Sequence, residues 1–151
     1  MSTEKNTASV RDNHMLQDKG LTKTDVLPTA DGTAYSTGID LSAALGAKDA
    51  RLADCEFVLS IPDLTVTHLP DADTLKFAIL GDTALPIDGS SIVMITEFLS
   101  MLGAGGVGDG PEVKRFRLPS DWTYQYIGVV AVAAGGTGDI SAISMTTALV
   151  F

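Results

Sequence analysis

Cysteine and positive charge are both scarce in this 151-residue sequence. Its single cysteine, Cys55, cannot form an internal disulfide, and it excludes a zinc site built from cysteines. Only 10 residues are Lys or Arg against 19 that are Asp or Glu, so the formal net charge is −9. Because phosphate backbones require a clustered positive surface, this balance argues against a nucleic-acid partner.

Long apolar runs are also missing. The longest stretch of small apolar residues, Ile127–Ala134, is far shorter than the roughly 20 residues that span a bilayer, so no membrane partner is expected. Residues 1–15 are polar and lack the apolar run of a signal peptide, which predicts synthesis in the cytoplasm. Hydrophobic residues nevertheless make up 45% of the chain, enough to build the core of one domain.

Residues 1–30 differ in composition from the rest of the chain. They hold four basic and four acidic residues, few large apolar side chains before Val26, and no sustained helical period. We predict an extended or flexible N-terminal arm over residues 1–30. The folded domain is predicted over residues 31–151, which carry all of the excess negative charge.

From residue 35 onward, short strand patterns alternate with turn residues. Phe57, Leu59 and Ile61 share one face of a predicted strand, and Tyr124–Ala133 is rich enough in β-branched residues for a strand buried on both faces. About eight strands, with turns roughly every 8–15 residues, predict an all-β sandwich or barrel. The predicted strands are Tyr35–Leu41, Cys55–Ile61, Leu64–Leu69, Leu75–Ile79, Ser91–Phe98, Val113–Leu118, Tyr124–Ala133 and Ile143–Phe151.

Three segments depart from this simple pattern. Leu41–Leu45 has a helix-forming composition, which Gly46 interrupts. The spacing of Ile92, Ile95, Leu99 and Leu102 is that of a helix face, although Ser91–Phe98 favours a strand. Residues 103–110 contain five glycines without the Lys-Ser/Thr ending of a phosphate-binding loop, and we interpret them as a long flexible loop.

Few residues have the pattern of a catalytic or metal site. Cys55 could pair with His14 or His68 as nucleophile and base, but its place on the apolar face of a strand favours a buried structural cysteine. His68, Asp71 and Asp73 could supply metal ligands, but they also fit an ordinary turn between strands. We therefore predict a protein that is not an enzyme, with no catalytic residues, no metal and no cofactor.

Val113–Leu118 is the basic cluster of an otherwise acidic domain. In a strand, its two arginines would point outward together, either as a solvated face or as a contact with an acidic neighbour, including another copy of the chain. Trp122, Tyr124 and Tyr126 also alternate; an exposed row would stack on sugars, whereas their context favours packing in the core or in an interface. The candidate interface residues are Arg115, Arg117, Trp122 and Tyr124.

The C-terminal half carries a resemblance to a known family. The matching elements are Arg115–Pro119, Tyr124–Val129, the turn Gly135–Gly138, Ile140–Ala142 and Thr147–Val150. An earlier element, Ala34–Leu41, is similar to the opening strand of the same family. Over residues 33–150, in strand order, the sequence resembles the cement (decoration) proteins of tailed-bacteriophage capsids, of the small jelly-roll type found in a Bordetella phage.

This resemblance implies a jelly-roll sandwich on the exterior of a virion. Such a protein would bind the outer face of the shell formed by the major capsid protein, across the joints between subunits, as a dimer or a trimer. Synthesis would take place in the cytoplasm of the host. An N-terminal arm that becomes ordered on binding would suit this role, because it extends the reach of the protein across a joint.

Two other functions fit the same residues. One is a different β-protein of the virion, such as a tail-tube or head-completion protein, which would be confined to the tail or to one vertex. The other is a carbohydrate-binding jelly-roll module, which requires an exposed aromatic row at Trp122, Tyr124 and Tyr126.

Overall fold

The computed structural model describes residues 21–43, 55–136 and 138–151. Within these residues the chain forms nine strands, and residues 41–43 are helical. The strands are β1 (Thr22–Val26), β2 (Thr33–Tyr35), β3 (Ile39–Asp40), β4 (Glu56–Ile61), β5 (Thr74–Asp82), β6 (Ile92–Leu102), β7 (Glu112–Arg117), β8 (Tyr126–Ala134) and β9 (Ser144–Val150).

The strands are arranged in two antiparallel sheets. The first sheet has the order β1-β9-β4-β7, and the second has the order β2-β8-β5-β6, with β3 also paired to β8. The pairs are nested along the sequence: β5 pairs with β6, β4 with β7, β2 and β3 with β8, and β1 with β9. A long antiparallel ribbon folded into two sheets in this way is a jelly roll, which confirms the predicted all-β sandwich.

The core lies between the sheets, where alternate residues of each strand point inward. The predicted inward residues of β4, from Phe57 to Ile61, are at most 1% exposed. Those of β5, from Leu75 to Ile79, belong to the same buried cluster. Because the inward residues of β4 and those of β5 from Leu75 to Ile79 are all large and apolar, the register of both strands is fixed.

β8 is buried on both faces over only part of its length, so the prediction for Tyr124–Ala133 is wrong in this respect. Its outward residue Val132 is 41% exposed. At the other end of the strand, the loop between β5 and β6 folds over the sheet, and Ile87 packs so closely that a Cβ on Gly128 would lie 2.9 Å from its Cγ1 atom. One end of the outer face of the second sheet is therefore covered by this loop.

β1 lies within the segment that was predicted to be an arm. It pairs with β9 along all five of its residues. The Asp25 carboxylate also accepts hydrogen bonds from the backbone N–H (2.9 Å) and the hydroxyl group (2.7 Å) of Thr37. A boundary at residue 30 is therefore wrong for Thr22–Val26, which belong to the sandwich, while residues 1–20 lie outside the described residues.

The strand predicted at Leu64–Leu69 is also wrong. Leu64 forms a single β-bridge with Asp109, after which the chain turns, and the carbonyl oxygen of Thr65 accepts the backbone N–H groups of His68 and Leu69. Leu64 and Leu69 are both fully buried. Their apolar side chains enter the core from the two ends of a turn rather than from one face of a strand.

Two other predicted strands differ in extent. Tyr35–Leu41 is divided into β2 and β3. The segment with ambiguous spacing is a strand, β6, that continues to Leu102, and two register shifts against β5 account for its irregular spacing. At the candidate helix Leu41–Leu45, residues 41–43 are helical, whereas Leu45 and Gly46 lie outside the described residues.

Residues 103–110 form the predicted loop, and hydrogen bonds attach it to the sandwich. The backbone N–H of Gly106 donates to the Asp71 carboxylate at 2.9 Å. Gly108 has a φ of +77°, and an added Cβ would overlap the carbonyl oxygen of Leu64. Glycine is therefore required at this position, where the loop passes next to the backbone of the neighbouring segment.

Candidate interaction surface

β7 concentrates positive charge at one edge of the first sheet. Lys114, Arg115 and Arg117 are three of the ten basic residues of the chain. Arg115 and Arg117 lie on the same outward face of β7, as predicted, and both are exposed. Arg115 Nη1 lies 3.3 Å from Glu56 Oε2, and the two side chains are 58% and 32% exposed, so this ion pair is open to solvent and to a partner.

An aromatic ladder lies behind this strand and closes the gap between the sheets. Its rings contact one another edge to face in the order Phe98, Phe116, Trp122 and Tyr124, with centroids 6.2–6.3 Å apart. The Lys114 ammonium group lies 5.8 Å from the centroid of the Phe98 ring. The ladder therefore joins β6, β7 and the segment that enters β8 into one rigid edge.

Trp122 is part of the core rather than of an exposed row. It is 6% exposed, and its indole N–H donates to the carbonyl oxygen of Tyr124 at 2.9 Å. Tyr124 and Tyr126 are half-buried. For Trp122 the interpretation as a core residue is confirmed, and its selection as a candidate interface residue is wrong, because the buried ring presents no free face to a partner or to a sugar.

Gly81 of β5 makes room for the end of the ladder. A Cβ on this residue would lie 2.8 Å from Tyr124 Cδ2 and 3.2 Å from Trp122 Cζ2. The two rings thus pack directly against the backbone of β5, and any larger residue at position 81 would displace them.

The outer face of the first sheet extends from β7 to β1. Opposite residues of neighbouring strands point to the same side, so the pairing defines this face as 13 outward residues. These residues are Thr22, Thr24, Val26, Glu56, Val58, Ser60, Val113, Arg115, Arg117, Ser144, Thr146, Ala148 and Val150. Of these residues the sequence predicts only the two arginines, because β1 has the composition of an arm and the outward residues of β9 are mostly small and weakly polar.

Charge is scarce on this face and confined to one side. Glu56, Arg115 and Arg117 are its charged residues, so it has a formal charge of +1 on a chain of −9. Three of its larger apolar residues are open to solvent, with Val26 57%, Val113 60% and Val150 41% exposed, whereas Val58 in the middle of the sheet is 7% exposed.

Cys55 and His68 do not form a nucleophile and base pair. Cys55 is fully buried, and burial, together with the nearby Glu56 charge, raises the pKa of its thiol to about 11. His68 Nδ1 lies 3.1 Å from Thr65 Oγ1 within its own turn. Cys55 is thus the buried structural cysteine that was predicted, while His14 lies outside the described residues.

The carboxylates near His68 serve the loops. Asp71 accepts the N–H of Gly106, and Asp73 is 6% exposed and lies against Gly135. Among residues 21–43, 55–136 and 138–151, no group of three or more His, Cys, Asp or Glu side chains could hold a metal ion.

The described part of the chain contains no helix with the length and apolar character needed to cross a membrane. A comparison of the sequence with models of known protein families, and with curated protein sequences, finds no match.

Proposed function

We propose that this chain is a structural protein of a bacteriophage virion, a cement protein that binds the outer face of the major capsid protein shell and stabilises it. In this role the protein is mechanical and not catalytic. It binds capsid subunits and other copies of itself, as a dimer or a trimer, on the exterior of the capsid.

The observation that supports this proposal most strongly is the position of the resembling segments in the jelly roll. Arg115–Pro119 includes the last three of the six residues of β7, Tyr124–Val129 leads into β8, and Thr147–Val150 completes β9. β7 and β9 flank β4 in the first sheet, and β8 lies in the middle of the second. The resemblance thus follows three consecutive strands through both sheets, as it would if the two folds shared their C-terminal half.

The physical requirements of a cement protein agree with the surface of this chain. Such a protein must bind the assembled lattice better than the free subunit, and it stabilises the shell by mass action. Many weak sites on one particle resist pressure together, so a single contact of modest size is sufficient.

The number of copies per particle tests the proposal. Quantitative mass spectrometry of purified particles is expected to give a simple ratio to the major capsid protein, such as one to one or one to three. A few dozen copies or fewer would assign the chain to the tail or to one vertex. Complete absence from the particles would exclude a virion protein altogether.

Trp122 separates this proposal from a carbohydrate-binding module. Because the ring is buried against Gly81 and Phe116, Trp122→Ala should lower stability without removing a sugar-binding surface. Glycan-array binding by the unmodified protein that is lost in Trp122→Ala at a temperature where the variant stays folded would favour the module instead.

The proposed contribution of the N-terminal arm is tested by deleting residues 1–20. This deletion ends before Leu21 and leaves all of β1 in place, whereas a longer deletion to residue 25 would remove four of its five residues. Weaker binding to shells by the shorter variant is the expected result, and unchanged binding would exclude a role for the arm.

A further inference from the structure

We infer that the outer face of the first sheet is the surface that docks onto the capsid shell, and that its partner is an uncharged protein surface bordered by carboxylates. This inference rests on the proposed function and adds to it the face that binds and the chemistry that it recognises. It follows from the charge of the face, from its size and from the contrast with the second sheet.

The charge of the face selects the partner. On a chain of −9, the 13 outward residues carry one carboxylate and two guanidinium groups, all at the β7 side. Arg117 makes no hydrogen bond or ion pair with another described residue, and Arg115 shares a single open contact with Glu56. Guanidinium groups at the edge of an interface recognise carboxylates, and they accelerate association with an acidic surface.

The size of the face argues against a second copy as the occupant. Four strands about 4.8 Å apart and five residues of about 3.4 Å each give an area of about 320 Å². A stable interface buries about 800 Å² on each partner, so two isolated copies would not be held together by this face alone. On a shell the same small contact is repeated at many neighbouring sites, so linked copies bind the lattice more tightly than one copy binds one site.

The second sheet offers a less even docking surface, although it also exposes apolar residues: Val93 and Leu102 are each 51% exposed and Val132 is 41% exposed. Its outer face is crossed at one end by the loop that places Ile87 over Gly128, and it carries the ion pair between Lys76 and Glu97, 2.8 Å apart. The loop makes this face uneven, and the charges of Lys76 and Glu97 already neutralise each other. The first sheet presents exposed valines and small hydroxyl residues on a regular array of strands, which suits a flat partner.

Three variants test the inference by sedimentation with shells of the major capsid protein assembled without this chain. Arg115→Glu/Arg117→Glu reverses the basic edge, and Thr24→Glu places a carboxylate on the uncharged part of the face. Thr33→Glu is the matched control, because Thr33 is also an exposed threonine of a short edge strand but lies on the outer face of the second sheet. Circular dichroism and thermal unfolding verify that each variant is folded.

The double arginine variant and Thr24→Glu are each expected to weaken shell binding about tenfold or more, while Thr33→Glu stays within about twofold of the original protein. Higher ionic strength should weaken the original protein and affect the double arginine variant much less.

Other outcomes would overturn the inference in distinguishable ways. If the original protein binds shells and the three variants bind equally well, or if Thr33→Glu alone loses binding, another face docks and the cement function stands. If the original protein does not bind shells, the proposed function fails as well. If analytical ultracentrifugation shows a free oligomer that Thr24→Glu dissociates, a second copy covers the face.

Discussion

Replacing Thr147 with valine is expected to stabilise the protein. Thr147 points into the core from β9, between Leu59 of β4 and Lys23 of β1, and it is fully buried. Its hydroxyl oxygen has no hydrogen-bond partner among the described residues. A buried hydroxyl group without a partner costs about 1–3 kcal/mol, and valine keeps the β-branched shape while removing that group.

The expected gain is therefore about 1 kcal/mol in the free energy of unfolding, or about 2–4 °C in Tm for a domain of this size. Thermal and urea denaturation would measure it. Thr147→Ser keeps the hydroxyl and loses a methyl group, so it should destabilise by about 1 kcal/mol. Thr146→Val, on the outer face of the same strand, should stay within about 0.5 kcal/mol of the original protein. A neutral or destabilising Thr147→Val would refute the reasoning, because it would show that the hydroxyl group has a partner.

Three further predictions concern packing, reactivity and acid stability. Gly81→Ala should lower the free energy of unfolding by about 1–3 kcal/mol in urea denaturation, because the added Cβ meets two aromatic rings, whereas Gly89→Ala, whose nearest contact is 3.4 Å away, should be much milder. Cys55, with a thiol pKa of about 11, should react with a disulfide reagent at pH 8 only as the protein unfolds, and rapid labelling of the folded protein would contradict its burial. The hydrogen bond from the Ser91 hydroxyl group is the main cause that lowers the pKa of Asp82 below 3.8. The stabilisation that this bond gives the folded protein is therefore present above pH 3.8 and is lost as the pH falls through the lowered pKa. Ser91→Ala should raise this pKa in an NMR titration, and an unchanged value would contradict the hydrogen bond.

The strands that the sequence predicts best are those whose inward residues are large and strictly alternating. In β4, Phe57, Leu59 and Ile61 define both the element and its buried face, because a shift of one residue would expose all three. The outward direction of Arg115 and Arg117 follows from the same rule, once Phe116 is assigned to the inside. Local periodicity is enough to predict a strand and its buried face wherever burial of that face is complete.

Other elements depend on partners that local periodicity cannot reveal. β1 has few apolar residues, and its pairing with β9 joins residues more than 115 positions apart in the sequence. Leu64 and Leu69 are buried like strand residues, but a turn delivers them to the core. Trp122 alternates with two tyrosines as an exposed row would, yet the small size of Gly81 in a different strand allows it to pack inside.

The polar strand that was hardest to predict is also the one on which the proposed docking face depends. β1 supplies Thr22, Thr24 and Val26, the side of the face that lies farthest from the arginines. Hydrogen bonds hold it at the sheet edge: the pairing with β9, and the two bonds from Thr37 to the Asp25 carboxylate. An apolar strand at this position would expose a hydrophobic sheet edge in the unbound protein, whereas a polar strand avoids this and still completes a flat surface. Low hydrophobicity in β1 is therefore what a docking face at the edge of a sandwich requires, and the same property explains why hydrophobic periodicity does not reveal it.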